Sequence, residues 1–356
     1  MGQREFMDLI SGTRRGPAAA LARGVLRFAS LFFWLGARAR LALYFLGLLR
    51  RHRVEKPVLC LGNLTTGGTG KTPAVAWLAR TLQGMGLKPW IVSRGYRAEE
   101  SGNDEMKVLS ELCPGVPHIQ DPDRVLAAEK AVLDGADVIV LDDGFSHLRL
   151  RRDLDILLFD ALNPFGFGRM LPRGLLREPL RSLRRARAAI FTRADVATPD
   201  RLRDLEDTIR CLGFVGPVAH AAHAPVALVP LGGEPAPVSG LQGQVVAPFC
   251  GIGNPRGFER TLEAHGATLC RMGTLVLDDH ARLDAAELER QVEPFLRVSR
   301  EHGATMAVCT QKDAVKLRAA RSLPVLALPV HELRVEFRLV RGEAELLAAI
   351  REALGR

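Results

Sequence analysis

A glycine-rich segment that follows an apolar run places the strongest constraint on how this chain can fold. Residues 65–72 read T-T-G-G-T-G-K-T, between a predicted strand at 57–61 and a predicted helix at 73–83. Pro73 suits the first turn of a helix, because the N–H that proline lacks has no helical partner there. A strand, a glycine-rich loop and a helix in this order are typical of a phosphate-binding loop.

The residue types in this loop suit the phosphates of a nucleotide. Glycines allow backbone N–H groups to turn inward around an anion, and the helix N-terminus adds its dipole. Lys71 is expected to reach the β- and γ-phosphates of ATP, and the Thr72 hydroxyl is expected to bind Mg²⁺. Thr65 replaces the first glycine of the common pattern. The predicted ATP-binding residues are Thr65, Thr66, Gly67, Gly68, Thr69, Gly70, Lys71 and Thr72.

An apolar run that ends in two carboxylates supplies the second part of such a site. Residues 138–141 read V-I-V-L and are followed by Asp142 and Asp143. Carboxylates at the carboxyl edge of a parallel sheet hold Mg²⁺ or its water shell in phosphoryl-transfer enzymes. We therefore predict Thr72, Asp142 and Asp143 as metal ligands, and Lys71 and the two aspartates as catalytic residues.

Three further features near these motifs bear on the kind of chemistry. His147 lies shortly after the acidic pair and is either a functional group or a structural histidine. The loop resembles that of partitioning ATPases, which act as switches, but Thr66 stands where they carry an extra lysine. Residues 192–195, T-R-A-D, resemble the guanine-reading motif of GTPases, with Arg193 in place of lysine. The last two departures weigh against a switch ATPase and against GTP.

The rest of the chain alternates short apolar runs with helical stretches, which predicts an α/β fold. We expect a P-loop NTPase-like parallel sheet with flanking helices. A stretch rich in Ala, Pro and Gly at 219–244 indicates a connector. The predicted organisation is a membrane-associating helix in 1–52, an ATP-binding domain in 53–222, a linker in 223–244 and a second, smaller α/β domain in 245–356.

The individual elements follow the hydrophobic periodicity. Strands are predicted at 57–61, 89–93, 116–120, 138–141, 155–159, 188–192, 245–249, 305–310 and 325–328. Helices are predicted at 73–83, 123–133, 255–265 and 284–300.

The N-terminal segment decides between anionic partners for a chain with a formal net charge of +9. Arginines interrupt the apolar residues 17–49, and no uninterrupted apolar stretch approaches the ~20 residues that a spanning helix needs. On a helix, Arg23, Arg27 and Arg38 share a narrow sector opposite Phe28. This pattern is typical of a monotopic anchor at an anionic membrane surface. A helical hairpin packed on its own domain is the alternative.

Other partners are constrained by what accompanies the charge. No helix-turn-helix, RNA-recognition or zinc-finger signature is present in the sequence, so we expect no nucleic-acid partner. The six cysteines stand singly, without a C-x-x-C pair or histidines at zinc spacing. We expect them to be reduced core residues of a cytoplasmic protein. The oligomeric state stays open.

Motifs spread over most of the chain point to one family. They are G-N-L-T-x-G-G-x-G-K-T-P at 62–73, S-R-G-Y at 93–96, D-D-G-F-x-H at 142–147, L-P-x-G-x-L-R-E at 171–178, G-I-G-N-P at 251–255, D-H at 279–280 and T-x-K-D-A-V-K at 310–316. In their order and number they resemble the tetraacyldisaccharide 4'-kinases, the inner-membrane kinases of lipid A biosynthesis.

The resemblance implies roles for residues that spacing alone would not single out. In that family an aspartate in a G-D-E-P segment and the histidine of the D-H pair are implicated in activating the sugar hydroxyl, which implies Asp104 and His280 here. This chain departs from the family pattern at Asn103 and Met106 in that segment, and at Ser146, where glutamine is usual. The residues implied to bind the lipid substrate are Tyr96, His147, Arg177 and Glu178.

The implied reaction is the ATP- and Mg²⁺-dependent transfer of a γ-phosphoryl group to the 4'-hydroxyl of a tetraacyldisaccharide 1-phosphate. The partner is then a lipid A disaccharide precursor, met at the cytoplasmic face of the inner membrane by a peripheral, monotopic enzyme. The rival function is a membrane-associated P-loop switch that hydrolyses ATP or GTP. Thr66, the predicted anchor and the D-H pair at 279–280 weigh against this rival.

Overall fold

The structure, a computed structural model, describes residues 3–95, 104–278, 283–320 and 325–355. Two units can be distinguished along the chain, and each has its own α/β structure. Unit 1 comprises Met1–Ala98, Cys113–Ala222 and Arg338–Arg356. Unit 2 comprises Glu99–Leu112 and His223–Phe337.

Unit 1 is built around a parallel sheet. Its strands are β1 (Val58–Gly62), β2 (Pro89–Ser93), β3 (His118–Gln120), β4 (Val138–Asp142), β5 (Leu154–Asp160), β6 (Ala188–Thr192) and β7 (Val218–Pro230), whose last residues belong to unit 2. They pair in parallel in the order β7-β6-β5-β1-β4-β2-β3. The helices are α1 (Gln3–Ser11), α2 (Pro17–Phe45), α3 (Lys71–Gly84), α5 (Arg124–Leu133), α6 (Pro199–Cys211) and α11 (Glu343–Ala353).

The register of this sheet brings the two predicted functional segments to one edge. β1 pairs with β4 so that Leu61 lies opposite Asp142. Because the two strands are parallel and adjacent, the loop after β1 and the acidic end of β4 leave the sheet side by side. Ligands of parallel α/β sheets bind at this carboxyl edge. The predicted parallel sheet with crossover helices is therefore confirmed.

Apolar side chains fill both faces of the unit 1 sheet. β1, β4, β5 and β6 are buried along their whole length, as is usual for parallel strands that carry helices on both faces. The Phe159 ring packs edge to face against Phe191 and Phe165, with centroids 6.0 and 6.1 Å away. Phe145, from the loop after β4, is fully buried in the same core cluster. The acidic loop is therefore held in place by Phe145, whose side chain is buried in the core.

Helix α2 is 29 residues long and leaves many apolar side chains exposed. Its Ser30 hydroxyl donates to the Met170 carbonyl at 3.0 Å and accepts from the Arg173 N–H at 3.0 Å, which ties the helix to unit 1. By length and composition, α2 is also apolar enough to cross a membrane. This differs from the expectation, which counted uninterrupted apolar residues instead of the average over a helix. Side chains that are at least 60% exposed include Leu21, Val25, Phe28 and Phe32.

Unit 2 contains a smaller parallel sheet. Its strands are β8 (Val245–Cys250), β9 (Thr268–Leu269), β10 (Leu275–Val276), β11 (Met306–Thr310) and β12 (Val330–Arg341), which ends in unit 1. The order is β10-β8-β11-β12, and β9 also pairs with β8. The helices are α4 (Asp104–Leu112), α7 (Pro255–Ala264), α8 (Ala285–Glu287), α9 (Glu293–Glu301) and α10 (Gln311–Ala319).

Three predicted elements differ from the structure. The strand predicted at 325–328 is wrong, because the chain there is irregular and β12 begins only at Val330. The helix predicted at 284–300 is interrupted by a π-helical turn at Leu288–Val292. Residues of the predicted connector form most of β7, whose first residues, Val218–His220, pair with β6 although alanine has a low strand propensity on its own.

The unit boundaries also differ in detail from the predicted linear domains. The second segment of unit 1 ends at Ala222, but Arg338–Arg356 returns to unit 1 after unit 2. There, Arg187 forms an ion pair with Glu352 of α11 at 2.6 Å. A return of this kind depends on tertiary contacts that hydrophobic periodicity does not encode.

Gly62, at the end of β1, allows a close approach that can be tested by substitution. A Cβ at this position would lie 2.6 Å from the Phe145 Cβ and 3.0 Å from the Phe145 backbone nitrogen. We expect Gly62→Ala to lower the free energy of unfolding by about 1–3 kcal/mol, because the core has to shift to accommodate the methyl group. Urea denaturation of the purified protein measures this change.

The matched control is Gly84→Ala, at the last residue of α3. Apart from the neighbouring residues and the backbone of the same helix, no atom lies within 4 Å of a Cβ built there. Alanine favours a helix over glycine by up to about 1 kcal/mol. We expect stability that is unchanged or slightly higher. Equal losses in the two variants would contradict the packing argument.

Candidate active site

The phosphate loop has a backbone that its glycines permit. Gly67 and Gly70 have φ angles of 112° and 77°, in a region that residues with a Cβ rarely adopt. α3 begins at Lys71, with Gly70 as its N-cap. The unpaired N–H groups and the positive dipole end of the helix therefore lie at the end of the loop. Loop and helix together have the backbone geometry that an anion site requires.

Lys71 lies between a buried asparagine and an aspartate. Its ammonium group donates to Asn63 Oδ1 at 3.4 Å and lies 3.9 Å from Asp143 Oδ1. Asn63 is fully buried and donates through Nδ2 to the Thr69 hydroxyl at 2.9 Å. These contacts place the lysine beside the loop that it is predicted to serve.

Arg177 forms a two-point ion pair with Asp143. Nη1 donates to Oδ2 at 2.7 Å, and Nη2 donates to Oδ1 at 2.6 Å. Nη2 also donates to the Asn63 carbonyl at 2.9 Å. Bidentate pairs of this kind fix geometry as well as adding attraction. Arg177, implied by family resemblance to bind substrate, thus contacts the acidic loop in this structure.

The charges around Asp143 keep its carboxylate ionised. Burial alone would raise its pKa, but Lys71, Arg177 and Arg124 outweigh burial and hold the pKa of Asp143 well below its ordinary value. Its φ angle is 50°, a conformation that aspartate tolerates better than most residues. The Arg124 guanidinium donates to the Asp143 carbonyl at 3.0 Å. Both the backbone and the side chain of this residue are therefore held in place.

The predicted magnesium ligands can be compared with what this ion requires. Asp142 is buried at the end of β4, and the carboxylate of Asp143 beside it is partly exposed. Within the described ranges, no cluster of three or more His, Cys, Asp or Glu is able to hold a metal by itself. Mg²⁺ is commonly bound by one or two carboxylates together with phosphate oxygens and water. Asp142, Asp143 and the Thr72 hydroxyl fit an ion bound in that way.

The segment 171–178 runs alongside the start of the phosphate loop, which the sequence analysis did not foresee. The Thr66 N–H donates to the Leu175 carbonyl at 2.7 Å. Thr65 is buried and pairs with Leu176 in an antiparallel bridge. The threonine that replaces the first glycine therefore supports the loop through its backbone pairing.

The residues that resemble a guanine-reading motif contact the phosphate loop instead. Arg193 donates to the Gly68 carbonyl at 2.6 Å, and its other terminal nitrogen pairs with Asp160. The Thr192 hydroxyl donates to the Thr69 carbonyl at 3.0 Å. Two carbonyl groups of the loop are thereby fixed from the end of β6. These contacts give the motif a supporting role that its letters alone did not indicate.

His147 and Glu178, both implied to bind substrate, lie in largely buried surroundings. Burial and the neighbouring arginines lower the pKa of His147 to about 4, so its ring is neutral near pH 7. Its Nε2 is buried and has no hydrogen-bond partner among the described residues. Glu178 is only 1% exposed and pairs with Arg185 at 2.6 Å.

Three residues of the predicted site cannot be placed. Tyr96 and His280 lie outside the described residues. So does Asn103, one of the departures from the family pattern, which is not itself a predicted site residue. Asp104 begins α4, but its side chain is not among those described. The roles of Tyr96, Asp104 and His280 therefore stay predictions.

Several residues that shape the site were not predicted from the sequence. Asn63 could have been predicted as a site residue, because it lies inside the G-N-L-T part of the family motif. Arg193 was instead assigned to a motif that resembles the guanine-reading motif of GTPases. Arg124 carried no signal in the sequence, since an arginine at the start of a helix is ordinary and only the structure shows it buried against the Asp143 backbone.

Comparison with known proteins agrees with this geometry. The family model described as LpxK, Tetraacyldisaccharide-1-P 4'-kinase, matches residues 22–355. The tetraacyldisaccharide 4'-kinases of Anaeromyxobacter sp. (strain K) and Geobacter sulfurreducens are 40% and 37% identical to this chain. The two matches cover 96% and 90% of this chain and 93% and 92% of those proteins.

A solved structure leads to the same assignment. The crystal structure of LpxK from Aquifex aeolicus in complex with ATP matches with a TM-score of 0.70 at 26% identity, over 94% of this chain and 99% of that one. The predicted P-loop NTPase-like fold is confirmed by this match. From the phosphate loop, the acidic strand end and these matches over nearly its whole length, we conclude that the chain is an ATP-dependent kinase and belongs to the tetraacyldisaccharide-1-P 4'-kinase family.

Proposed function

We propose that this kinase transfers the γ-phosphoryl group of ATP to the 4'-hydroxyl of a tetraacyldisaccharide 1-phosphate through a site built on Lys71, Arg177 and Asp143. The observation that carries the proposal is the Asp143 carboxylate, paired with Arg177 and close to Lys71 beside the phosphate loop. Phosphoryl transfer depends mainly on positioning and on neutralising charge. A fixed anion and two cations at one edge of the sheet provide both.

Lys71 is the movable cation of this set. Its ammonium group is 3.9 Å from Asp143 Oδ1 and its side chain is 20% exposed, so that contact is loose. The lysine is therefore free to turn towards the β- and γ-phosphates of ATP. Arg177 keeps Asp143 paired while it does so, because the arginine makes two short hydrogen bonds to the carboxylate.

Asp142 and Asp143 are proposed to hold Mg²⁺, with the Thr72 hydroxyl as a third protein ligand. When bound, Mg²⁺ neutralises charge on the transferring phosphoryl group. The protein's contribution is a carboxylate already ionised and oriented, since the pKa of Asp143 is held low and its backbone is fixed by Arg124.

The 4'-hydroxyl also needs a proton acceptor. We assign this role to His280, oriented by Asp104, as the family resemblance implies. His147 is a poor alternative, because burial and nearby arginines lower its pKa to about 4 and leave it a weak base near neutral pH. Tyr96 and His147 keep their proposed contacts with the lipid, whereas Arg177 and Glu178 act by supporting the acidic loop.

The reaction is proposed to take place at the cytoplasmic face of the inner membrane, with α2 as a monotopic anchor. The exposed apolar side chains of α2, such as Phe28 and Phe32, suit an acyl boundary. The hydrogen bonds of Ser30 to unit 1 favour a helix that lies along its own protein over one that leaves it to cross a bilayer.

A phosphoryl-transfer assay tests the proposed reaction against the switch alternative. Purified protein, labelled ATP, Mg²⁺ and the disaccharide 1-phosphate in detergent micelles should give a labelled lipid whose new phosphate is at the 4'-position. ATP hydrolysis that yields no lipid product would contradict the kinase function and favour a switch.

Asp143→Asn should lower kcat by about 10²–10³-fold, because it removes the charge that holds the metal and pairs with Arg177. The Mg²⁺ concentration needed for half-maximal activity should rise as well. The control is Asp134→Asn, at the exposed C-terminal end of α5, which leaves both values unchanged. An unchanged Mg²⁺ requirement in Asp143→Asn would remove this residue from the metal site.

The pH profile of kcat/KM separates the two histidines. A general base has to be unprotonated, so activity should fall as the pH drops below the ordinary histidine pKa of about 6.5. His147, with a pKa of about 4, does not titrate in that range, so His147→Gln should leave the acid limb where it is. His280→Ala should depress kcat far more than ATP affinity and abolish the limb. If the fall of activity at acid pH shifts in His147→Gln, then His147 is the general base instead of His280.

A further inference from the structure

One arginine of α2 reaches the loop that carries Asp143. The Arg40 guanidinium donates through Nη2 to the Ser146 carbonyl at 2.8 Å. The same nitrogen lies 3.9 Å from Glu178 Oε1. Arg40 is about half exposed, so it stands between solvent and the acidic loop. The Ser30 hydroxyl supplies two further hydrogen bonds between α2 and the rest of unit 1.

Glu178 is an incompletely satisfied carboxylate beside Arg40. Its side chain is 1% exposed, and Oε2 accepts a hydrogen bond from Arg185 at 2.6 Å. Oε1 is buried and has no hydrogen-bond partner among the described residues. A buried carboxylate oxygen without a donor is costly. A shift of Arg40 by about 1 Å would bring its Nη2 within hydrogen-bond distance of Oε1.

Both contacts of Arg40 lead to Asp143. Ser146 belongs to the same turn, in which the Phe145 ring lies 4.2 Å from the Arg185 guanidinium. Glu178 follows Arg177 directly in the chain, and Arg177 holds the Asp143 carboxylate at 2.6 and 2.7 Å. A change at Arg40 therefore acts on the backbone of the acidic turn and on the segment that carries its ion-pair partner.

We propose that Arg40 is a positioning residue that fixes the Asp143 turn when α2 rests on a lipid surface. Contact of the apolar face of α2 with lipid limits the motion of the helix, and Arg40 then closes on Glu178 Oε1 while it keeps Ser146. The Asp143 carboxylate and Arg177 are thereby held in their paired geometry for catalysis. The inference rests on the proposed function, because it needs a lipid-bound kinase.

The test compares three variants of the full chain, Arg40→Ala, Arg40→Lys and Arg50→Ala. Arg50→Ala removes the same charge from the same N-terminal segment, at an exposed position just after α2. For each protein we would measure kcat, KM for ATP, KM for the lipid, the thermal unfolding midpoint and sedimentation with vesicles of phosphatidylethanolamine and phosphatidylglycerol.

Arg40→Ala should lower kcat roughly tenfold, as expected for the loss of one hydrogen bond to a charged group. Its vesicle binding, its KM for ATP and its unfolding midpoint should stay close to those of the wild type. Arg40→Lys should recover part of the rate, since its cation can still reach the Ser146 carbonyl. Arg50→Ala should behave like the wild type.

Each other result overturns the inference. Equal losses of kcat in Arg40→Ala and Arg50→Ala would show that the rate depends on the positive charge of the N-terminal segment and not on the position of Arg40. A rate that falls in proportion to vesicle binding would make Arg40 an anchoring group only, and a rate that falls with the unfolding midpoint would make it structural. Wild-type protein that transfers no phosphate to the lipid would instead refute the proposed function itself.

Discussion

The ion pair between Arg177 and Asp143 is the interaction on which the rest of the site depends. Burial works against an ionised carboxylate, and Arg177, with Lys71 and Arg124, outweighs it. The segment that supplies Arg177 also pairs with the phosphate loop at Thr66. One stretch of chain therefore sets the position of the phosphate-binding backbone and the charge of the acidic turn together. The β1–β4 pairing brings the two motifs to one edge of the sheet, and this segment then links them by direct contacts.

The elements that could be predicted from the sequence are those that a local pattern of residues defines. The predicted strands at 89–93 and 188–192 have the bounds that the structure gives β2 and β6, because short apolar runs between turn residues suffice to define a buried parallel strand. The loop at 65–72 and the acidic end of β4 were placed correctly relative to the sheet for the same reason.

The rest was out of reach because it depends on contacts between distant residues. β7 begins where Val218–His220 pair with β6, and Arg338–Arg356 joins unit 1 only in three dimensions. The T-R-A-D segment contains the letters of a base-reading motif, yet Arg193 donates to a loop carbonyl. Residue type limits what a side chain can bind, whereas its partner depends on where the fold places it. Arg177 illustrates this, since its chemistry suits a phosphate and a carboxylate equally well.

The contact between Gly62 and Phe145 has a consequence for how such kinases diverge. Phe145 occupies the space that a side chain at position 62 would need. Gly62 ends the strand that leads into the phosphate loop, and Phe145 lies in the acidic loop after β4. Because a Cβ at position 62 would meet the Cβ and the backbone of Phe145, the path of the acidic loop at Phe145 and the glycine at position 62 have to fit each other. We therefore expect chimeras with relatives to fold best when both loops come from the same parent, because the backbones that meet at this point then belong to one structure.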